Sequence, residues 1–370
     1  MTSEVMIVNS NSLVLSSDGA VTVKGKKTFT GVKKMLELCS DPTMVIMFYG
    51  KPDFGLVDIE STIEEFKKQI NFDKLNTVKD ISSKFIEFLK EYTYPDDVES
   101  FVKYNLALFK RNLIKNIENM DERLFRDYLD GENKLDVLSF IGDISFNDIV
   151  PDEIQDDDYE NEELLKIFSY YLSYQGTGVV IAGFDNDSNR PSFIHLGLMV
   201  NNGGDIEYEI LDYEKDFEKS CIISFAQDDE INTFIYGIDS ELEDSIVNYI
   251  KVMPRIYFDD FYHLLCDSGD FDEETLKTIS YHKLEFEKEF FEYEKFLLEK
   301  IEGWKYDNYN SFIEIIPFLP KHLLADFAKF LISIVSSRRR FSFDLESVGG
   351  NIDVCVVTKN QIQFFEYEQV

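Results

Sequence analysis

Positive charge is scarce in this chain: 37 Lys and Arg stand against 71 Asp and Glu, a net charge of −34 over 370 residues. Phosphate backbones and anionic membrane surfaces are held by clustered Lys and Arg, so this deficit argues against nucleic acid and against a membrane as partner. The one dense basic run, Arg338-Arg339-Arg340, suits a helix C-terminus, where cations complement the dipole. Cysteine is equally sparse. Cys39, Cys221, Cys266 and Cys355 form no CxxC pair, which argues against a disulfide framework and suits a reduced compartment. His195, His263, His282 and His322 are isolated from one another, with no HExxH spacing, so no metal centre is expected. Asp156-Asp157-Asp158 belongs to no EF-hand loop, and Gly349-Gly350 to no GxGxxG or Walker pattern, so no cofactor is expected either. The sequence holds no apolar stretch of about eighteen residues that could cross a bilayer. No basic and apolar leader pattern opens it, and a cytoplasmic protein is the expectation.

What the chain has in quantity is material for a core: 44% hydrophobic residues, with 33 Phe and 20 Tyr. Residues 4 to 24 alternate as strands do, around an Asn/Ser turn at 9 to 12. Met44 to Tyr49 reads as a buried strand ended by Gly50, and Ile59, Ile63, Phe66 and Ile70 mark one face of a helix opened by Asp58. From about 76 to 150 the pattern is helical and acidic, and the tract 151–163 reads as a solvated linker. Strands return at 178–184, 192–200 and 205–211, with Gly203-Gly204 as a hairpin signal. A charged helical segment covers 240–302. Pro320 to Ser337 is amphipathic, with Leu323, Leu324, Phe327, Phe330, Leu331, Ile334 and Val335 on one side. Two strands, 352–358 and 361–367, close the chain. This alternation of strand blocks with helix blocks predicts an α+β fold, two packed sheets with helices outside in a four-layer αββα arrangement. The expected core is 1–75, 176–240 and 315–370. A helical insertion covers 76–175 and a second helical segment 241–314.

The N-terminal segment carries the chemistry. Thr2 follows the first Met; Asp18 lies sixteen residues after Thr2, and Lys34 sixteen after Asp18. A small second residue permits removal of Met1, and a threonine with a free amine can use that amine as base for its own hydroxyl. This segment resembles the start of a proteasome β subunit, an N-terminal-nucleophile (Ntn) hydrolase. Val179 to Asp185 followed by Pro191-Ser192-Phe193-Ile194 is similar to a strand pair of the same superfamily. The helix at 320–337 leading to Asp344, Ser347 and Gly349-Gly350 resembles the turn before its last strands. Together with Ile46 to Phe54, this ending resembles a bacterial branch of proteasome-like proteins with helical insertions.

The resemblance implies hydrolysis of amide bonds in peptides or proteins through an acyl-enzyme on Thr2. Lys34 would favour the neutral amine and the developing alkoxide, with Asp18 holding Lys34. Gly50 would offer an N–H to the oxyanion, and Asp344 and Ser347 would steady the threonine. It also implies a homo-oligomer. Each residue has an ordinary use as well: Asp18 as a turn cap, Lys34 in a basic cluster, Gly50 as a strand end, Asp344 and Ser347 as turn residues. Glu4 departs from the resemblance by setting an acid beside the nucleophile, and the family's supporting glycine-serine turn is replaced by Phe234 to Asp239. A catalytically silent protein of this fold, acting as a structural or interaction module, is the second reading.

Overall fold

The computed structural model describes residues 2–23, 27–50, 53–54, 57–91, 177–200, 206–226, 228–342 and 348–367. The expected acidic insertion beyond residue 91, its linker and the Gly203-Gly204 hairpin lie outside the described residues.

Two five-stranded sheets form the centre, and every pairing within them is antiparallel. In the first sheet, β1 (Ser3–Val8) and β2 (Ser12–Asp18) form a hairpin. Asn9 closes its turn, the carboxamide oxygen accepting the Asn11 and Ser12 N–H groups at 3.0 and 2.8 Å. β12 (Cys221–Ala226) flanks β1; β13 (Ile352–Thr358) and then β14 (Gln361–Tyr367) lie beyond β2. The second sheet runs β11 (Ile206–Glu214), β10 (Pro191–Val200), β9 (Thr177–Phe184), β6 (Thr43–Gly50) and β5 (Met35–Ser40). Two short ribbons, β3 (Val21–Val23) with β4 (Lys27–Phe29) and β7 (Asp53–Phe54) with β8 (Val57–Asp58), sit outside both sheets.

The helices are α1 (Ile59–Gln69), α2 (Val78–Glu91), α3 (Asp229–Tyr236), α4 (Ser240–Ser268), α5 (Glu273–Tyr281), α6 (Lys283–Ile313) and α7 (Lys321–Phe341). Asp58 caps α1 by accepting the Ser61 N–H at 2.8 Å. The N-terminus of α2 is capped from a distance: the Asp185 carboxylate, just after β9, accepts the Val78 N–H at 2.8 Å.

Side-chain alternation along the strands decides what each face meets. Val5, Ile7 and Val14 pack with Leu331, Ile332 and Val335 of α7 and Ile231 and Ile235 of α3. Met6, Val8, Leu13 and Leu15, on the opposite face, pack with Val45, Met47, Val180 and Phe193 of the second sheet. The outer face of that sheet, through Ile46, Phe48, Val179 and Ile181, packs on Ile63 and Phe66 of α1 and Phe85 and Leu89 of α2. Helix α2, assigned from sequence to the insertion, therefore contributes to the same hydrophobic cluster as α1. On α7 the buried stripe is Leu324, Ala325, Ala328, Leu331, Ile332 and Val335. Leu323 and Phe330, expected on that side, are exposed. The buried stripe takes in the small residues Ala325 and Ala328, which a pattern of large apolar residues does not mark.

Candidate active site

The N-terminal ends of β1 and the C-terminal end of β2 bring Thr2 and Asp18 to the same edge of the first sheet. Lys34, in the segment that enters β5, reaches the same place: its Nζ lies 2.6 Å from Asp18 Oδ1. Both side chains are buried, with relative exposures of 1% and 0%. The Asp18 carboxylate gives Lys34 a hydrogen-bonding partner at close range, which offsets part of the cost of burying both side chains.

Asp18 does more than hold Lys34. Its Oδ1 also accepts the Ser3 N–H at 3.0 Å, and its Oδ2 accepts the N–H groups of Ala20 and Gly349, at 3.1 and 3.0 Å. The carboxylate thus ties the start of β1, the turn after β2, the segment before β13 and Lys34 into one knot. The turn-capping use of Asp18 and its pairing with Lys34 are both present. Gly19 lies within this knot, its N–H donating to Asn351 O at 2.8 Å.

Thr2 is buried, and its hydroxyl donates to Glu4 Oε2 at 3.2 Å. Residues 2 and 4 share a face of the strand, so the acid flagged by the sequence stands beside the threonine. Glu4 Oε1 lies 3.7 Å from Lys34 Nζ and has no hydrogen-bond partner. Burial pushes the Glu4 carboxyl up to about 8; Lys34 opposes that shift and Asp18 adds to it. Across the β1–β2 ladder Glu4 faces Ser17, whose buried hydroxyl is also without a hydrogen-bond partner.

Gly50 ends β6, paired with Thr177 of β9 and exposed, with a φ of 89° that glycine adopts readily. Asp344 and Ser347 lie outside the described residues, although the nearby Gly349 N–H reaches Asp18.

One group beside the site was not foreseen. Tyr49 Oη lies 2.6 Å from His195 Nε2, and Phe225 stands 5.0 Å from the His195 ring centre. Gly178 is directly opposite Tyr49 in the β6–β9 ladder, and its missing side chain leaves the place the Tyr49 ring occupies. Burial lowers His195 to about 4 and raises the Tyr49 hydroxyl, the Glu4 charge adding to the latter. Both groups are therefore neutral near pH 7, and the contact joins a phenol to an uncharged imidazole. His195, isolated in the sequence, has a partner 146 residues away that no local pattern shows.

Among the described residues no group of three or more His, Cys, Asp or Glu is arranged to hold a metal ion, and no helix is long and apolar enough to cross a membrane. The site and its two supporting sheets make this an α+β protein with a buried carboxylate–lysine pair at the start of its first strand.

No family model matches the sequence. A stretch of 148 residues, 39% of this chain, is 28% identical to part of the dynein axonemal assembly factor 1 homolog of Aedes aegypti. The match covers 12% of that protein's length.

Proposed function

We propose that this chain is a proteasome-like Ntn hydrolase that cleaves amide bonds in peptides through Thr2. The three hydrophobic clusters support a four-layer αββα reading, since helices pack on the outer faces of two sheets that share an inner core. The observation that carries the reading is the buried contact of Lys34 with Asp18 at 2.6 Å, with the N–H of Ser3 on the same carboxylate oxygen. That arrangement fixes the residue after Thr2 against a lysine charge, which suits stabilisation of an alkoxide on the threonine. Removal of Met1 gives Thr2 a free amine. The acyl-enzyme then forms by attack of Thr2 Oγ1 on the amide carbonyl, and water releases the acid.

Two measurements test this in sequence. Intact mass should show loss of Met1, and a hydroxyl-acylating probe should label the N-terminal peptide of the natural chain but not of Thr2→Ala. Equal labelling of both chains would remove Thr2 from the mechanism.

The silent-module reading is favoured by a different observation. Tyr249, Val252, Ile256, Tyr257, Phe261 and Leu264 of α4 are all exposed and recur at helical spacing. A surface of this kind suits protein contact, and under this reading Thr2→Ala leaves the protein's function intact.

A further inference from the structure

We propose that Glu4 is the proton acceptor for the Thr2 hydroxyl, in place of the freed amine. The inference rests on the reading of Thr2 as nucleophile and names the base that the reading requires. Three observations carry it. First, Glu4 Oε2 is the group that receives the Thr2 hydroxyl, at 3.2 Å. Proton abstraction needs heavy atoms at about 2.6–3.2 Å, and the contact lies at the edge of that range. Second, Glu4 is wholly buried and its Oε1 has no hydrogen-bond partner, which is unusual for a structural carboxylate. Third, Lys34 is already matched by Asp18 at 2.6 Å and lies farther from Glu4, at 3.7 Å. Glu4 is thus a second acid beside a lysine already paired with Asp18, and burial there makes its carboxylate a stronger base than an exposed one.

The groups facing Glu4 are few. Among the described residues they are Thr2 on its own strand, Asp18 and Ser17 of β2, Lys34 before β5, and Phe225 directly opposite on β12, and the terminal amine of the chain also lowers the carboxyl. Tyr49 of β6 feels the Glu4 charge. The carboxyl titrates at about 8, so Glu4 is ionised in a minority of molecules at neutral pH and in most above that value. The step balances. As Thr2 Oγ1 bonds to the amide carbonyl carbon, its proton passes to Glu4 Oε2. The C–N bond then breaks and the amine leaves with that proton. In the second half, Glu4 takes a proton from water as the water oxygen attacks the ester carbon. The C–Oγ1 bond breaks and the proton returns to Thr2.

The test uses the full chain with a β-lactone probe, which acylates hydroxyl groups, over pH 5.5 to 9.5, with the labelled peptide located by mass spectrometry. Thr2 labelling should rise about tenfold per pH unit and level off above about 8. A free α-amine titrates at about 7.7 to 8.0, in the same window, so the variant decides between them. Glu4→Gln should lower the plateau by about a hundredfold or more and flatten the rise. An unchanged rate and profile in Glu4→Gln overturns the role of Glu4 and leaves Thr2 as nucleophile. Absence of Thr2 label in the natural chain at every pH overturns both. Infrared titration of the natural chain covers the case in which the variant fails to fold. A buried carboxylic acid band should persist to about pH 8, and its loss near 4.5, the ordinary Glu value, would refute the assignment.

Discussion

At the residue scale, the atoms that hold the site together are the ones the proposed chemistry needs. Asp18 accepts three backbone N–H groups and the Lys34 ammonium, so it has no free lone pair to give up cheaply. Removing Lys34 leaves a buried carboxylate with backbone partners but without its charge partner. Lys34→Met should therefore destabilise the chain by about 3–5 kcal/mol, measured by denaturant unfolding. The double variant Lys34→Met, Asp18→Asn should recover part of that loss, because the uncompensated charge goes with it. If Lys34→Met unfolds like the natural chain, the pair is not electrostatically matched and its place in the site has no physical basis. The resemblance, with its sixteen-residue offsets, singled out Thr2, Asp18 and Lys34, and of these the Asp18–Lys34 contact is present. The contact of Glu4 with Thr2 follows from strand alternation, but its burial depends on β12 and Lys34 closing over it. Tyr49 and His195 were not legible, since their partnership exists only after β6, β9 and β10 have paired.

At the element scale, the strands that alternate cleanly were read from the sequence with little error. β13 and β14 span the residues expected, because each is rich in β-branched or aromatic residues and the Lys359-Asn360 turn separates them. β5 was missed for a physical reason: the register shifts between Glu37 and Cys39, and a bulge breaks the period of two by which strands are recognised. β12 is short and lies between segments of quite different character, so its six residues carried no boundary signal. Helix α7 was found, but the depth of each side chain depends on its rotation against β1, β2 and β13. Leu331 is fully buried against the first sheet, whereas Leu323 is 43% exposed. Leu331→Ala should cost about 2–5 kcal/mol in unfolding free energy. Leu323→Ala, a comparable change at the exposed margin of the same helix, should stay within about 0.5 kcal/mol of the natural chain. Equal losses would mean that the helix sits differently on the sheet.

At the scale of the whole molecule, two forces act against each other at the surface. The net charge of −34 makes copies of the chain repel, while apolar side chains on α7 favour contact. Leu323, Phe330 and Phe341 project outward at spacings of seven and eleven residues, close to whole turns of the helix, so they form one line along its exposed side. Phe341 is 84% exposed, with the Arg340 guanidinium 5.7 Å from its ring centre. Phe234 of α3 adds to the patch, its ring 5.3 Å from that of Phe330. A homo-oligomer built through this helix layer would account for the pattern, and that proposal makes a salt-dependent prediction. Screening shortens the reach of repulsion from about 30 Å at 0.01 M salt to about 8 Å at 0.15 M, while apolar contact is little affected. Sedimentation velocity should accordingly show association that strengthens as salt is raised, the reverse of an interface held by ion pairs. Phe330→Asp with Phe341→Asp should return the chain to monomer at every salt concentration, since two buried carboxylates would then face each other across the contact. A monomer throughout in the natural chain would exclude the oligomer. Association that survives the double substitution would move the interface to another surface, of which the exposed line on α4 is the strongest alternative.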